Sequence, residues 1–471
     1  MDKKTTGTLL ELAAKSLLSN ELAALHALDE LPRALFVPLF IPAFLGRHKE
    51  ILKAMVRVWP FHCLHIGTLS VQGSDCDILE AMIDGLQLHS AQNSSSWGSK
   101  LRLLDLRQDP DCKIICSEFG TTFSSCFQSC AYSRNSTLRT EGTQHSVRCP
   151  GFDDSESEPH SASETVELLV DLSLDGTLRT WQFVSFLQSK LRQSFGSLHL
   201  CCRDLEIFDM SADRSILQFL DPRCISNLQV DLVHLREVNT LVAQTVYLYR
   251  LRLSDIHFTC FAGRQLQTFL HCLRNLDSLQ ELDLSTLYVR NRLHRFLRVL
   301  PPQLKTLNLS SCGLSSIDVT ILSQSSQATH LSQLNLSHNQ IFSTAHGPFQ
   351  TLLERASGTL QHLQINNCVL TDSILSALLP ALSHCSCLRV LSFAFNPITM
   401  PMLMSLLQHL KSLMELKYVI YSIPLHCYRD WDVPDGLDQQ QLAEVEAQLK
   451  AMLQAVQRDD MIWTTCPVKF P

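Results

Sequence analysis

The sequence predicts an α/β leucine-rich-repeat solenoid with an N-terminal helical region, and two observations lead to this fold class. A leucine pattern with Asn or Cys at a fixed offset recurs at 304–314, 331–341, 360–370 and 388–398. The four starts lie 27, 29 and 28 residues apart, which leaves room for a strand, a turn and a helix in each unit. The first 62 residues instead carry apolar residues at helical spacing.

Each position of the repeat has a chemical role. In the unit that begins at Leu304, Leu307 and Leu309 alternate with other residues, so their side chains point to one side of a short strand. Cys312 falls where the chain turns, as Asn or Cys does in the other units, and such a side chain can satisfy unpaired backbone groups. One unit cannot bury its own apolar side, so neighbouring units must stack.

Weaker copies extend the array in both directions. They begin at Leu101, Phe195, Leu248, Leu279 and Leu413. We therefore predict a helical region over 1–62, divergent first repeats over 63–107, a solenoid over 166–435, and a capping helix and tail over 436–471. The capping helix is expected from Asp438 to Arg458, with apolar residues on one side at Leu442, Val445, Leu449, Leu453 and Val456.

The segment 108–165 interrupts the array and differs in composition from its surroundings. It is rich in Ser, Thr and other polar residues, and its acidic run 153–158 contains no Lys or Arg. Such a segment buries too little apolar surface to offset the entropy cost of ordering, so we predict a disordered insertion. Its cysteines have a spacing for which zinc binding and unpaired loop thiols are the two interpretations: Cys112, Cys116, Cys126 and Cys130.

Composition and charge exclude several classes of protein. A net charge of −7 and a pI near 6.2 predict no binding to nucleic acid or to an anionic membrane. The stretch after Met1 is broken by Glu11 and Lys15, so we expect no secretory signal. The longest apolar run, 34–45, is shorter than the roughly 18–20 residues that span a bilayer. We expect a protein of the cytoplasm, with the nucleus as a second compartment.

No motif indicates an enzyme. The sequence lacks a phosphate-binding Gly loop, a nucleophile elbow and a His-Glu-x-x-His helix, so we predict a non-catalytic protein without cofactor or catalytic metal. His62, Cys63 and His65 lie close together in the sequence after Trp59, where a packed turn is the expected structure. The other cysteines mostly occupy repeat positions, where a thiol packs as a small apolar group.

The N-terminal region shows an apolar ridge at helical spacing. Its first members are Leu9, Leu12, Ala13, Ser16 and Leu17. Two interpretations follow: a helical cap over the first repeat, or a ridge that docks into the groove of a partner.

Several ordered blocks resemble the PRAME (preferentially expressed antigen in melanoma) family. They lie at 9–18, 31–40, 46–48, 52–56, 59–64, 167–172, 198–202, 352–357, 377–386 and 421–428. Together they extend over nearly the whole chain outside the insertion. The resemblance implies a repeat protein with roles in regulating transcription, proliferation, differentiation and apoptosis.

Members of that family resemble substrate-recognition subunits of cullin-RING ubiquitin ligases. Such subunits bind elongin C through a box of the form [Thr/Ser/Pro]-Leu-x3-[Cys/Ser/Ala]-x3-aliphatic, whose positions fall on about one face of a helix. Thr8, Leu9, Ala13 and Leu17 match that box. The implied partners are elongin B/C, a cullin scaffold with its RING subunit, and protein substrates, while ubiquitin transfer itself would be done by those partners.

The implied cullin contact follows the box and consists of Leu31, Pro32 and Leu35. A cullin-2-type box has a further apolar residue at the position of Pro38, whereas this chain places Leu39 one position later. The same stretch, continued by Phe40, is also similar to an F-box, whose adaptor is Skp. We expect Pro38 and Pro42 to damage the helices of an F-box.

A second implication of the resemblance is binding to nuclear receptors through L-x-x-L-L helices, with transcriptional repression as the result. Two such motifs are present: Leu375, Leu378, Leu379 and Leu403, Leu406, Leu407. Each follows a repeat strand at the place of the solenoid helix, so its leucines are expected to face the core.

The residues between the inward leucines are predicted to point to the concave face of the solenoid. Asn308, Asn335 and Gln364 are the candidate substrate-binding residues. In the four strongest repeats this face has no charged residue unless His362 is protonated, so we expect recognition by shape and neutral hydrogen bonds. Three functions remain as hypotheses: a ubiquitin-ligase adaptor, a corepressor-like scaffold, and a stoichiometric inhibitor.

Overall fold

The fold is seen in a computed structural model that describes most of the chain. The described residues are 8–66, 76–87, 100–107, 165–194, 196–208, 214–231, 234–254, 263–342, 346–428 and 437–465. Apart from Thr165, the predicted insertion and its cysteines lie outside these residues. The chain divides into two compact units, Met1–Ile225 and Ser226–Pro471.

The first unit begins with four helices, which confirms the predicted N-terminal helical region. They are α1 (Leu9–Leu18), α2 (Glu21–Ala27), α3 (Phe36–Leu45) and α4 (Lys49–Arg57). Their interior is aromatic: the rings of Phe36 and Phe40 meet the fully buried Trp59 edge-on, with centroids 5.9 and 5.4 Å away. Such edge-to-face pairs add to the hydrophobic contribution of the buried rings.

Four parallel strands follow in the same unit, each paired with the next in chain order. They are β1 (Cys63–His65), β2 (Leu103–Asp105), β3 (Val166–Leu174) and β4 (Leu198–Ile207). The connecting helices are α5 (Cys76–Gln87) and α6 (Leu178–Gln193). The prediction of a packed turn at His62–His65 is wrong, because Cys63–His65 form β1. A three-residue strand has no visible periodicity, and its pairing with β2 is not local.

The second unit has nine parallel strands within its described residues. They are β5 (Asn227–Asp231), β6 (Arg250–Ser254), β7 (Glu281–Asp283), β8 (Thr306–Asn308), β9 (Gln333–Asn335), β10 (His362–Gln364), β11 (Val390–Ser392), β12 (Tyr418–Ile420) and β13 (Ile462–Thr464). The helices are α7 (Leu235–Val242), α8 (Arg264–Arg274), α9 (Leu293–Leu297), α10 (Ser316–Gln324), α11 (Gly347–Ala356), α12 (Asp372–Ser383), α13 (Met400–Leu410) and α14 (Gln439–Ala455). This alternation of strand and helix confirms the predicted α/β repeat fold.

The register aligns equivalent positions of successive repeats. The central leucines of β8, β9 and β10 pair directly, as Leu307 with Leu334 and Leu334 with Leu363, and each is almost completely buried. Residues on either side of each leucine point to the other face and therefore form continuous rows across the strands. The predicted alternation is thus confirmed for β8, β9 and β10, whereas all three residues of β11 are buried.

Buried asparagine side chains join neighbouring repeats. Asn339 Nδ2 donates to Leu309 O, Leu336 O and Ser337 O at 2.9 to 3.0 Å, and Asn339 Oδ1 accepts from Leu314 N at 2.8 Å. Two of these four bonds reach the preceding repeat. Asn396 makes the equivalent bonds, with Ile365, Phe393, Ala394, Cys368 and Leu370. The predicted role of this position is confirmed.

Cysteine takes the place of asparagine in the alternate repeats. The Cys312 thiol donates to Leu284 O at 3.0 Å and the Cys368 thiol to Leu336 O at 3.3 Å, in each case across to the preceding repeat. Burial raises the pKa of the Cys368 thiol to about 12. Both thiols therefore stay protonated and act as small buried donors rather than as nucleophiles.

The residue before each of these buried side chains has a left-handed backbone. The φ angles are 56° at Ser311, 59° at His338, 49° at Asn367 and 58° at Phe395. A non-glycine residue in this region costs on the order of 1–2 kcal/mol. The hydrogen bonds of the following Asn or Cys offset that cost, so the turn keeps its shape without glycine.

The predicted capping helix corresponds to α14, which buries Val445, Leu449 and Leu453. The chain then adds β13, which pairs parallel with β12 and which the sequence did not predict. Arg458 lies just before this last strand and fixes the chain there, because its guanidinium donates to Lys411 O at 2.7 Å and to Leu416 O at 2.8 Å. In the described part of the chain, no helix is both long and apolar enough to cross a bilayer.

Replacing Asn339 by alanine should destabilise the second unit by about 3 kcal/mol or more, because buried backbone groups that lose a partner each cost about 1–3 kcal/mol. Differential scanning calorimetry of the full chain should show Tm lowered by roughly 6–12 °C, given about 2–4 °C per kcal/mol for a unit of this size. Gln333→Ala, at an exposed position of the same repeat, is the control and should change stability by less than about 0.5 kcal/mol. Equal shifts for the two variants would contradict the role of Asn339.

Candidate functional site

The first candidate surface lies on α1, and two reciprocal hydrogen bonds cap the N-terminus of this helix. Thr8 Oγ1 accepts a hydrogen bond from Glu11 N at 3.3 Å, and Glu11 Oε2 accepts one from Thr8 N at 2.9 Å. This reciprocal capping box fixes where the helix begins. Sequence reasoning used Thr8 only as a member of the elongin box and missed Glu11, although the Thr-x-x-Glu spacing was a visible signal.

The apolar ridge of α1 points outward. Ala14 and Leu18 are buried, whereas Leu9 is 85% exposed and Leu12 is 56% exposed. We call four residues the outer ridge: Leu9 and Leu12 with the exposed Ala13 and the half-buried Leu17. Three of the four box residues thus lie on one exposed side together with Leu12, and the fourth, Thr8, is the exposed N-cap.

The residues implied for a cullin contact lie in the turn between α2 and α3. Pro32 is exposed, while Leu31 and Leu35 are half-buried. The turn is held by Arg33, whose Nη2 donates to Pro60 O at 2.7 Å. These three residues therefore lie in a partly exposed turn that directly precedes α3.

The expected damage from the two prolines is not observed. α3 is continuous over Phe36–Leu45, with Pro42 inside it. Pro38 lies in the first turn, where a backbone N–H has no acceptor within the helix, so its missing donor costs nothing there. Pro42 loses one internal bond, but Pro42 O still accepts from Gly46 N at 2.8 Å. The predicted obstacle to helix formation is therefore wrong.

The two L-x-x-L-L motifs lie in α12 and α13 and face inward. All six leucines are at most 3% exposed: Leu375, Leu378, Leu379, Leu403, Leu406 and Leu407. The core interpretation of these motifs is confirmed. A receptor could contact them only after the repeat had unfolded.

The second candidate surface is the concave face, formed by the outward positions of β6 to β10. These positions line a cavity of about 310 Å³. The three predicted substrate-binding residues, Asn308, Asn335 and Gln364, all line it, and each is half-buried. In the strand register Asn308 pairs with Asn335, and Asn335 with Gln364, so the three side chains form one polar row.

The concave face also contains charged residues that sequence reasoning missed. Arg250 Nε lies 2.5 Å from Glu281 Oε2, and Arg252 Nε lies 3.2 Å from Asp283 Oδ2. Each pair joins directly opposed residues of β6 and β7. Asp283 Oδ2 also accepts from Asn308 Nδ2 at 2.9 Å, which connects the charged end of the face to its neutral row.

The signal for these charges was present in the sequence. The repeats that begin at Leu248 and Leu279 carry Arg and acidic residues at the same strand positions that hold Thr306 and Asn308 in the stronger repeats. The expected neutrality considered only the four strongest repeats. Over the whole cavity the face is charged at one end, but its two arginines and two acids balance each other.

His362 is the one histidine among the residues that line the cavity. Burial, and to a lesser degree the positive charge of Arg389, lower the pKa of His362 below its usual value of 6.5. The imidazole is therefore neutral at pH 7 and available for neutral hydrogen bonds. Protonation of His362 would place a positive charge in a half-buried site beside the Arg389 guanidinium, which is unfavourable.

A buried polar cluster in the first unit involves the histidine of β1. His65 Nδ1 lies 2.9 Å from Asp105 Oδ2, and Arg107 Nη2 lies 2.8 Å from the same oxygen. Burial opposes ionisation of Asp105, but the hydrogen bonds of His65 and Arg107 outweigh it and hold the pKa of Asp105 at about 2. Both oxygens of the Asp105 carboxylate accept hydrogen bonds from protein groups, Oδ2 from His65 and Arg107 and Oδ1 from Arg107. The cluster therefore joins β1 to β2.

Both parts of the chain match models of one protein family. The PRAME N-terminal domain matches residues 6–112, and the PRAME C-terminal domain matches residues 166–470. The unmatched stretch between them, 113–165, lies within the predicted insertion. The two matches include the candidate helix α1 and the concave face.

Curated relatives extend over nearly the whole length. Human leucine-rich repeat-containing protein 14 is 30% identical, with 97% of each chain covered. Human PRAME family member 12 is 32% identical over 98% of this chain and 92% of its own. Human PRAME family member 22 is 32% identical over 98% and 94% of the two chains.

Among solved structures, an internalin from Listeria monocytogenes is similar at 16% identity. The match covers 56% of this chain and 62% of the internalin chain, with a TM-score of 0.28. The repeat architecture described above rests on the strand register of this chain. With matches to both domain models and relatives at about 30% identity along almost all of its length, the chain belongs to the PRAME family.

Proposed function

We propose that this leucine-rich-repeat interaction protein is the substrate-recognition subunit of a cullin-2-type RING ubiquitin ligase. In this proposal, α1 binds elongin C of the elongin B/C pair, the turn at Leu31, Pro32 and Leu35 contacts the cullin, and the concave face binds protein substrates. The observation that supports it most is the outward orientation of the outer ridge on a capped helix.

The outer ridge has the chemistry of a helix that docks into a groove. Burying an exposed leucine contributes about 1.5–3 kcal/mol, and Leu9 and Leu12 are both exposed in this chain. Ala13, one turn after Leu9, is exposed and small, so a partner can approach the helix backbone closely. Such i, i+3 and i+4 spacing is the usual pattern of helix-in-groove recognition.

The helix can be bound without disturbing the core behind it. Its inward side chains, Ala14 and Leu18, belong to the opposite side, and α1 packs on α3 through that side. The turn that contains Pro32 leads directly into α3. A partner on the outer ridge and a partner on this turn would therefore meet neighbouring elements of one unit.

The concave face supports recognition of a polar, largely uncharged protein segment. Its neutral row offers amide donors and acceptors at Asn308, Asn335 and Gln364, and its four charges are already paired within the face. A substrate would find few unpaired charges to neutralise. Binding should therefore depend on shape and on hydrogen bonds more than on long-range attraction.

The other two hypotheses have less support. A corepressor-like scaffold that uses its L-x-x-L-L motifs would require leucines that are buried in α12 and α13. A stoichiometric inhibitor would have no use for an exposed apolar ridge at the N-terminus. The ligase proposal uses both surfaces, so its failure can be seen at each of them separately.

Leu9→Ala combined with Leu17→Ala should abolish capture of elongin B/C by the full chain, because the variant removes the largest apolar contacts of the box. The measurement is co-purification from cells in which neddylation is blocked, quantified by mass spectrometry. Leu22→Ala removes a leucine on α2 that is 72% exposed and is the matched control. Retained elongin B/C in the double variant, or loss of the overall thermal unfolding transition, would reject the box.

Asn335→Arg combined with Gln364→Arg should remove most substrate proteins from the captured set, because two long cations would fill the neutral row. Gln448→Arg adds a cation at an exposed position of α14 and is the control. Capture should be nearly the same at low and moderate salt for the unmodified protein. A capture that collapses with salt, or that ignores both substitutions, would move substrate recognition to another surface.

Arg389→Gln should raise the pKa of His362, but only in part, because burial is the larger cause of its low value and remains. NMR titration of protein with labelled histidine measures this pKa, with His362→Gln to assign the signal. Because the folded-state pKa lies below the unfolded value, protonation of His362 should cost stability as the pH falls below about 6.5. A full return of the pKa to 6.5 in Arg389→Gln would show that burial is not the main cause.

A further inference from the structure

Three potential metal ligands come together at the end of the first unit, and a fourth side chain, the Cys201 thiol, lies beside one of them. His199 and Cys201 are two residues apart on β4, so their side chains lie on the same face of the strand. Asp221 is the N-cap residue of the 3₁₀ turn Pro222–Cys224, and Cys224 is the last residue of that turn. The cluster thus joins a strand to a turn about twenty residues further along the chain.

The ligand atoms of this cluster are close enough to share one ion. One ligand atom each from His199, Asp221 and Cys224 lie within 4.8 Å of one another. Among the described residues, His199, Asp221 and Cys224 are the one group of His, Cys and acidic side chains with such spacing. The Cys201 thiol lies outside this group of three but interacts with the thiol of Cys224, so a small movement would bring it in as the fourth ligand.

The distance between the histidine and the carboxylate suits coordination better than direct contact. His199 Nε2 lies 3.7 Å from Asp221 Oδ2, which is beyond a normal hydrogen bond. Two nitrogen or oxygen ligands on a tetrahedral zinc ion are about 3.3–3.6 Å apart, because each lies about 2.0–2.2 Å from the metal. A shift of a few tenths of an ångström would bring both atoms to one ion.

We propose that His199, Cys201, Asp221 and Cys224 form a structural zinc site. All four coordination positions would be filled by protein atoms, with two sulfur ligands, one nitrogen and one oxygen. Closed tetrahedral sites of this kind stabilise folds, whereas catalytic sites keep a position open for water or substrate. The ion would hold the turn at Pro222–Cys224 against β4.

The charges around the cluster are those that a divalent cation requires. Two thiolates and the Asp221 carboxylate would carry three negative charges, which zinc and Arg223 together balance. Arg223 Nη2 lies 2.9 Å from Asp221 Oδ2, and this hydrogen bond is the main reason why the pKa of Asp221 is lowered. Arg223 thus keeps the carboxylate ionised, and zinc would displace the longest of its bonds, from Arg223 Nε to Asp221 Oδ2 at 3.2 Å.

Zinc binding should release protons in a defined number. Cysteine thiols have a usual pKa of about 8.5, so they are mostly protonated near neutral pH. When zinc binds, each S–H proton passes to the buffer as the Zn–S bond forms, so about two protons per zinc are expected.

The test uses the full chain and zinc itself as the probe. Because the predicted insertion contains other cysteines, all proteins compared carry Ser at 112, 116, 126, 130 and 149. Metal is removed with a chelator under reducing conditions, and zinc is then titrated in competition with a chromophoric chelator. Cobalt(II) in place of zinc reports thiolate ligands through its charge-transfer absorption, and a pH indicator counts the released protons.

One equivalent of zinc should bind, with a thiolate band for cobalt(II) and about two protons released. Cys224→Ser and Cys201→Ser should each weaken binding by at least about 100-fold, judged against the 10- to 100-fold that loss of a supporting residue costs. Cys387→Ser, at another partly buried thiol, is the matched control and should leave binding unchanged. His199→Gln changes a side chain that is 41% exposed, so it should fold normally and still lose affinity.

Three outcomes would overturn the proposal. The first is a protein that binds no zinc although calorimetry shows it folded. The second is zinc binding with equal affinity in Cys224→Ser, His199→Gln and the control. The third is a Cys201–Cys224 disulfide that forms in the zinc-loaded protein as readily as in the metal-free protein, since bound thiolates would be protected from oxidation.

Discussion

The hydrogen bonds of buried Asn and Cys side chains between repeats are the interaction on which the rest of the second unit depends. Asn339 satisfies three carbonyls and one N–H group, and it reaches the preceding repeat with two of these bonds. The left-handed residue before it, His338, would be costly without them. Because a buried Asn or Cys holds the turn in each of the four repeats from 304 to 398, their strands keep one register, and equivalent side chains fall into rows.

Because of those rows, the chemical character of the concave face changes in order from strand to strand. At β6 and β7 the outward positions hold Arg and acidic residues in pairs, and at β8 to β10 they hold amides and a neutral histidine. At β11 the same positions, Val390 and Ser392, are buried. A partner that lies along this face would meet paired charges at one end and neutral hydrogen-bonding groups in the middle. The strand register alone produces this order.

The N-terminal helix shows how one pattern can satisfy two interpretations. Apolar residues at helical spacing were compatible with a helical cap that buries its apolar ridge and with an exposed ridge that binds a partner. In the structure, Ala14 and Leu18 take the inward side and leave Leu9 and Leu12 outside. The core of this region is built around Trp59, which the rings of Phe36 and Phe40 contact, and α1 adds only Ala14 and Leu18 to the buried side chains.

Sequence alone determined the repeat length, the strand positions from β6 to β12, the turn chemistry at Asn339 and Cys312, and the identity of the inward leucines. These features are local, because a strand, a turn and a helix within 27 to 29 residues leave a periodic trace. It did not reveal β1 or β13, which are three-residue strands defined by pairing with distant segments. It also misjudged the prolines of α3, since the first turn tolerates Pro38 and the helix continues through Pro42.

Only the tertiary structure decided which side of α1 faces solvent and which side chains meet across the strands. The pairing of Arg252 with Asp283 depends on register, and the meeting of His199 and Cys201 with Asp221 and Cys224 depends on how a turn folds back on β4. Contacts of this kind join residues that no fixed spacing relates. Periodicity reports what one element contributes to its own packing, while burial, partner choice and ligand geometry arise from elements that the rest of the fold brings together.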